Sequence, residues 1–188
     1  MKTRILSLVA IFLVATVTTT FAQDKKIDTK ESSIKWTGYK VTGQHEGTID
    51  FKNGTLNFKD GKLVGGMFTI NMTSINTTDL SGEYKGKLDG HLKSEDFFGT
   101  AKFPEALLKF KEVVETATNT YRVNANLTIK GKTSPIAFDI TLKEKSGVAK
   151  LKVDRTKYGI KYGSASFIDG LKDKAIYDDF DLVVKLKF

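Results

Sequence analysis

The feature of this chain that most constrains its fold is an alternation of apolar and polar residues with a period of two. In residues 121–129 every second side chain is apolar, and the side chains between them are polar. The same pattern occurs in residues 136–142 and 149–153, and short glycine-containing breaks separate the three segments. Successive side chains of a strand point to opposite faces, so the pattern predicts consecutive antiparallel strands with one buried and one solvated face.

Similar alternation occurs in other parts of the chain. Residues 180–188 repeat it, and the pairs Asn53-Gly54 and Asp60-Gly61 predict hairpin turns between shorter strands. Residues 77–99 differ, because their apolar side chains are mostly three or four positions apart, which is typical of one helix face. About eight antiparallel strands with one apolar face each close most simply into a barrel. We therefore predict a single all-β domain, a lipocalin-like antiparallel β-barrel with a short helical insert.

The first 22 residues have the layout of a secretory signal peptide. Lys2 and Arg4 form a basic start, residues 5–17 are mostly apolar, and Thr20-Phe21-Ala22 ends in a small residue. The alternative is a membrane anchor, but the apolar run is short for a membrane span. We expect cleavage after Ala22, export to the periplasm, and a mature domain of residues 23–188.

Charge and composition narrow the classes of partner. Removal of Lys2 and Arg4 leaves 28 basic and 22 acidic side chains, and only Arg122 and Arg155 are arginines. Nucleic-acid readers depend on arginine, so a lysine-rich surplus instead predicts a solvated outer face and transient contact with an anionic membrane surface. The chain has no cysteine, which excludes disulfides and thiolate metal sites. The oligomeric state stays open, with a homodimer as one option.

Several motifs, in the correct order, resemble the signature of the YceI-like family. They are Ser74-Ile75-Asn76-Thr77, His91-Leu92-Lys93-Ser94-Glu95-Asp96-Phe97-Phe98, Phe103-Pro104, Leu127-Thr128-Ile129-Lys130-Gly131-Lys132-Thr133 and Arg155-Thr156-Lys157-Tyr158-Gly159-Ile160. The resemblance implies a lipocalin-like barrel in the periplasm. It also implies an apolar channel that binds a polyisoprenoid, an isoprenoid quinone or a fatty-acid-like lipid.

The candidate ligand-binding residues follow from the inward side of the strands. A barrel of about eight strands can either fill its interior with side chains or hold one small ligand, and alternation does not separate these cases. The resemblance favours the cavity. Its candidate lining residues are Trp36, Phe51, Phe68, Ile70, Leu108, Phe110, Leu127, Phe138 and Phe180. Arg155 is a further candidate, either as a structural ion pair with a neighbouring aspartate or as the partner of a polar lipid head.

The sequence offers no catalytic arrangement. Asp89, Glu95 and Asp96 lie in one polar segment without a positioned nucleophile, so we predict no enzyme and no cofactor. His45 and His91 are the only histidines, too few for a predicted metal site. Two alternatives to a lipid carrier remain. One is a small outer-membrane barrel, which also produces alternation, and the other is a filled barrel acting in adhesion or envelope stress protection.

Overall fold

The computed structural model describes residues 22–188, so the predicted signal peptide lies outside the described residues except for Ala22. This part of the chain forms nine strands, one α-helix and two short 3₁₀ turns, Arg155–Tyr158 and Lys172–Lys174. The strands are β1 (Ala22–Lys26), β2 (Ser33–Lys40), β3 (Gly43–Lys59), β4 (Lys62–Thr77), β5 (Glu105–Ala117), β6 (Thr120–Ile129), β7 (Lys132–Lys143), β8 (Ser146–Asp154) and β9 (Ile176–Lys187). The helix α1 (Gly82–Lys93) follows β4. Between residues 22 and 188 no helix is long and apolar enough to cross a membrane.

Eight of these strands, β2 to β9, form a closed antiparallel barrel. Each strand pairs with the next one along the chain, and β9 pairs with β2 to complete the ring. The long strand β3 pairs with β2 through residues 43–49 and with β1 through residues 55–59. Closure leaves the barrel strands without a free edge. The predicted fold class, an all-β antiparallel barrel of about eight strands with a helical insert, is confirmed.

The alternation places apolar side chains inside the barrel and charged side chains outside. In β6 the outward residues Arg122 and Asn124 are exposed. The inward residues of the same strand are all buried, namely Tyr121, Val123, Ala125, Leu127 and Ile129. This orientation is the reverse of that of an outer-membrane barrel, which is apolar outside and polar inside.

The two ends of the barrel are built differently. At the hairpin end, short turns join β3 to β4, β5 to β6 and β7 to β8. At the helix end lie two long connections, residues 78–104 with α1 and residues 155–175 between β8 and β9. The hairpin end also carries the connection of residues 27–32, whose Ile27 is buried in the core, so the helix end is distinguished by the greater length of its connections.

Three local predictions need correction. Asn53-Gly54 is not a turn but lies within β3. Position 54 is glycine for a different reason, since a Cβ there would overlap the ring of Phe68. Helix α1 occupies residues 82–93 of the predicted helical segment, but Tyr84, which its spacing placed on the apolar face, is exposed. Strand β1 was not predicted, since Ala22–Lys26 has no apolar alternation and joins β3 through backbone pairing. The turn at Asp60-Gly61 is confirmed, with φ angles of 51° and 77°.

Candidate ligand-binding cavity

The half of the barrel interior nearest the helix end is hollow. The cavity has a volume of about 560 Å³, within the range of roughly 300–1,000 Å³ that is typical of small-molecule sites. Its wall consists of apolar side chains from six strands, namely Ile34, Trp36, Ile49, Ile70, Met72, Ile75, Ala106, Leu127, Ile129, Phe180 and Leu182. Away from the mouth these strands contribute mainly alternate, inward-facing residues, as the period of two requires, whereas near the mouth Tyr39, Tyr177 and Asp179 also line the cavity.

Helix α1 and the turn after it form a lid of apolar side chains over this cavity. Leu88 and Leu92 of α1 line it, as do Phe97 and Phe98 of the following turn. The Phe98 ring lies edge-on to the ring of Phe180 with their centroids 6.3 Å apart. The lid and the barrel wall therefore make direct contact.

The lid is anchored to β4 through the carboxylate of Asp89. It accepts a hydrogen bond of 2.8 Å from the backbone N–H of Thr77 and one of 2.6 Å from Nζ of Lys85. Burial opposes ionisation of Asp89, but these hydrogen bonds outweigh it and hold the pKa of the carboxyl below its usual value. The anchor is therefore ionised at neutral pH.

We place the mouth of the cavity at the helix end of the seam between β2 and β9. Pairing is regular as far as Gly38 opposite Phe180, and then shifts by two residues so that Lys40 lies opposite Ile176. The extra residues on β9 form a bulge, which bends the strand locally. The exposed polar lining residues lie around this seam, namely Lys40, Asp173, Lys174, Tyr177 and Asp179.

Gly38 contributes open space near this mouth. It follows Trp36 by two positions and so faces the same side of β2, and it lines the cavity. A Cβ built at Gly38 meets no heavy atom within 4 Å, and its φ angle is not in the positive region. A side chain at this position would therefore start in open space on the cavity side of β2.

The half of the barrel nearer the hairpin end is packed with side chains. Five phenylalanines of this half are buried, and none of them lines the cavity, namely Phe51, Phe58, Phe68, Phe110 and Phe138. The interior is thus partly filled and partly hollow, although both halves are built from the same alternating strands.

Arg155 is buried near the helix end, with 2% of its surface exposed. Its guanidinium donates to three backbone oxygens, those of Tyr177 at 3.0 Å, Ile160 at 2.9 Å and Ile176 at 2.9 Å. The Asp178 carboxylate is 3.6 Å from Nη2. Burial lowers the pKa of Arg155 and the aspartate opposes this shift. Arg155 therefore connects the start of β9 to the segment after β8, with most of its donors engaged inside the protein.

The two histidines have different environments. The imidazole of His91 packs edge-on against the rings of Tyr162 and Phe97, with centroid distances of 4.5 Å and 5.4 Å. Its buried Nε2 has no hydrogen-bond partner, and the neighbouring rings offer π faces instead. His45 lies 2.8 Å from a carboxylate oxygen of Asp79. In the described range no cluster of three or more His, Asp or Glu is arranged to hold a metal ion.

The predicted site residues divide into two groups in the structure. The residues at the cavity are Trp36, Ile70, Leu127, Phe180 and Arg155. The residues packed outside it are Phe51, Phe68, Leu108, Phe110 and Phe138. Sequence reasoning did not name the lid residues as lining, although the helical spacing of residues 77–99 was the signal that could have found them.

The structure is thus a closed antiparallel β-barrel with an apolar cavity in one half. Residues 26–188 match the family model described as "YceI-like domain". The chain belongs to this family.

Relatives in several bacteria support the assignment. The chain is 32% identical over 147 residues to a UPF0312 protein of Enterobacter sp. (strain 638), covering 76% of this chain and 73% of the relative. It is 29% identical over 150 residues to Protein YceI of Escherichia coli O17:K52:H18 (strain UMN026 / ExPEC), with the same coverage of 76% and 73%. A UPF0312 protein of Staphylococcus aureus (strain bovine RF122 / ET3-1) is 36% identical over 111 residues, or 52% of this chain and 57% of that protein.

Solved structures share the fold at low sequence identity. BcnA of Burkholderia cenocepacia has a TM-score of 0.68 at 18% identity, over 85% of this chain and 98% of that one. A domain from Saccharophagus degradans, described as polyisoprenoid binding, has a TM-score of 0.56 at 17% identity, over 86% and 97% of the two chains. At these identities the likeness supports the fold.

Proposed function

We propose that the protein binds one long apolar lipid inside the barrel, in the class of polyisoprenoids, isoprenoid quinones and fatty-acid derivatives. The observation that carries the proposal is the cavity of about 560 Å³ with a wall of Ile, Leu, Met and aromatic side chains. Transfer of a hydrocarbon chain from water into such a wall gains about 0.8 kcal/mol for each methylene group. The mouth offers polar side chains to any head group.

The proposed role is that of an exported carrier, which holds its lipid and does not convert it. Export is supported by the signal-peptide layout of residues 1–22. The ligand class is supported by the printed description of the Saccharophagus degradans domain as polyisoprenoid binding.

A transient contact with an anionic membrane belongs to this proposal. Phe167, Ile168 and Tyr177 are exposed large apolar or aromatic residues. The first two lie in the 155–175 connection, and Tyr177 lies at the mouth. Nζ of Lys161 lies 4.1 Å from the centre of the Phe167 ring, so a positive charge accompanies this surface. We expect Phe167→Ser to slow lipid transfer from anionic vesicles while the affinity for lipid in solution stays unchanged.

Trp36 provides a direct test of binding. It is the only tryptophan of the chain, it lines the cavity, and its indole N–H donates to the backbone oxygen of Thr48 at 3.2 Å. Titration with a short-chain isoprenoid quinone should quench its fluorescence at one quinone per protein. The same headgroup without a prenyl chain is the control and should quench far less at equal concentration.

Extraction of the native protein gives an independent test. Organic extracts of protein purified gently from the periplasm, without detergent, should contain a stoichiometric lipid by mass spectrometry. Repeated absence of lipid, together with no saturable quenching of Trp36, would favour a barrel that acts through its outer surface. Recovery only in the detergent-extracted membrane fraction would contradict the carrier role.

A further inference from the structure

A row of four phenylalanine rings crosses the packed half of the barrel, directly beyond the residues that line the cavity on its hairpin side. Neighbouring ring centroids are 5.9 Å apart for Phe51 and Phe68, 5.8 Å for Phe68 and Phe110, and 5.8 Å for Phe110 and Phe138. These rings come from β3, β4, β5 and β7, so the row reaches from one side of the barrel to the other. We call these four residues the phenylalanine floor.

The position of the floor along the strands sets the depth of the cavity. On β4, Ile70 lines the cavity and Phe68, the next inward residue toward the hairpin end, does not. On β3 the same change occurs between Ile49 and Phe51. Because Phe51 pairs with Ile70, the change from cavity to packed core comes one inward residue nearer the helix end on β3 than on β4.

The backbone is adapted to hold these rings. Gly54 lies beside Phe68, where an added Cβ would overlap the ring, and Gly66 lies beside Phe110, where an added Cβ would be 3.0 Å from Cε2. Two strand glycines thus provide the space that the rings occupy. All four rings are at least nine-tenths buried, so the floor is part of the packed core rather than a loose cover.

We propose that the phenylalanine floor limits the ligand to a chain of about four isoprene units inside the barrel. The inference rests on the proposed lipid-binding function and adds a chain-length specificity to it. A methylene group is similar in size to a water molecule, which takes roughly 30 Å³ of liquid, so the cavity of about 560 Å³ holds on the order of twenty chain carbons. Any further carbons of a longer lipid stay outside the mouth, beside polar groups such as Lys40 and Lys174.

A series of prenyl alcohols tests the limit. Geraniol, farnesol, geranylgeraniol and geranylfarnesol carry two, three, four and five isoprene units and share one head group. Each unit that enters an apolar wall should tighten binding at least tenfold. We therefore expect the affinity of the native protein to rise by this factor up to geranylgeraniol and by less than threefold for the fifth unit.

Removal of a ring from the floor should move the limit. In Phe68→Ala the space below Ile70 opens, so geranylfarnesol should bind at least tenfold more tightly than geranylgeraniol. The matched control is Phe58→Ala, which removes a buried ring that packs against Phe188 at 6.1 Å, toward the hairpin end. It should keep the native chain-length profile. If Phe68→Ala does not fold, Phe68→Leu should give a smaller shift in the same direction.

The outcomes separate the two proposals. If the native protein binds none of the alcohols, the proposed function fails and the floor has no ligand to limit. If it binds them and the affinity keeps rising tenfold with the fifth unit, lipid binding stands and the length limit is wrong. A profile that Phe68→Ala and Phe68→Leu leave unchanged would also overturn the role of the floor.

Discussion

Substitution of Gly38 by leucine gives the most direct test of whether the cavity is empty space reserved for a ligand. Gly38 faces the cavity from β2, and a Cβ there meets no heavy atom within 4 Å. Its φ angle is not positive, so an L-residue can adopt the same backbone conformation. We therefore expect the leucine side chain to enter the cavity.

Two magnitudes follow for Gly38→Leu. Replacement of a strand glycine should stabilise the ligand-free protein by roughly 0.5–1 kcal/mol, which raises the melting temperature by about 1–4 °C in a chain of this size. The four added carbons displace about four ligand carbons at about 0.8 kcal/mol each, so binding should weaken by about 3 kcal/mol, or on the order of a hundredfold. Higher stability together with weaker binding is the expected signature.

Equilibrium binding of radiolabelled geranylgeraniol and thermal unfolding without ligand measure both quantities. Gly38→Ala is the control, because it makes the same change in backbone freedom and displaces only about one carbon. A melting temperature that falls by several degrees in Gly38→Leu would show that the space beside Gly38 is occupied. Native affinity in a stable Gly38→Leu variant would refute the placement of the ligand in this cavity.

Three further predictions use residues at or near the cavity. Leu127→Trp should change stability by less than about 1 kcal/mol and reduce lipid binding. In a filled core the larger ring would instead cost about 1–3 kcal/mol of stability by overpacking. Calorimetry and lipid titration distinguish the two cases. Arg155→Lys should lower stability by on the order of 3 kcal/mol because buried carbonyls lose their donors, while the exposed Arg122→Lys should change it by less than about 0.5 kcal/mol. Burial opposes ionisation of Asp178, but hydrogen bonds from serines and the charge of Arg155 hold its pKa below the usual value. Its ionisation therefore stabilises the fold above about pH 4 and is lost as the pH falls through the lowered pKa. The melting-temperature difference between the native protein and Asp178→Asn should shrink as the pH falls toward 3, and a difference that grows would contradict this assignment.

The fold could be predicted because its main signal is local. In residues 121–129 the polarity of each side chain indicates which face of the strand it lies on. Every apolar residue predicted to face inward is buried in the structure. The same holds for Phe138 and Ile140 in β7. Closure into a barrel then follows from the number of such strands and the cost of free edges. The prediction was wrong where a local pattern had a different cause. Asn53-Gly54 was predicted to be a turn, but Gly54 lies within β3, where its missing side chain leaves room for Phe68.

The boundary between cavity and packed core could not be predicted, because it depends on height along the barrel axis. Ile70 and Phe68 are both inward apolar residues of β4, and only one lines the cavity. Their heights follow from the pairing of β4 with its neighbours, which includes shifts of register between Thr48 and Asp50 and between Phe51 and Asn53. A shift of this kind depends on contacts between strands and leaves no periodic mark in the sequence. Arg155 was ambiguous for a related reason, since its three carbonyl acceptors are brought together only by the fold.

The glycines of the first barrel strands mark the same boundary once the structure is known. A Cβ at Gly54 would overlap the ring of Phe68, and one at Gly66 would press on Phe110, so both glycines make room for the phenylalanine floor. A Cβ at Gly38 would meet nothing. In the sequence their roles are not distinguishable: Gly54 was predicted to lie in a turn, and a glycine within a strand pattern indicates only a close approach or a weak point. In the structure, Gly54 and Gly66 make room for phenylalanine rings that fill the barrel, whereas Gly38 leaves part of the cavity open. Side chains added at positions 38 and 54 should therefore have opposite effects on stability, although both residues are glycine. Gly38→Leu should be tolerated, and Gly54→Ala should destabilise the protein because its methyl group has no free space.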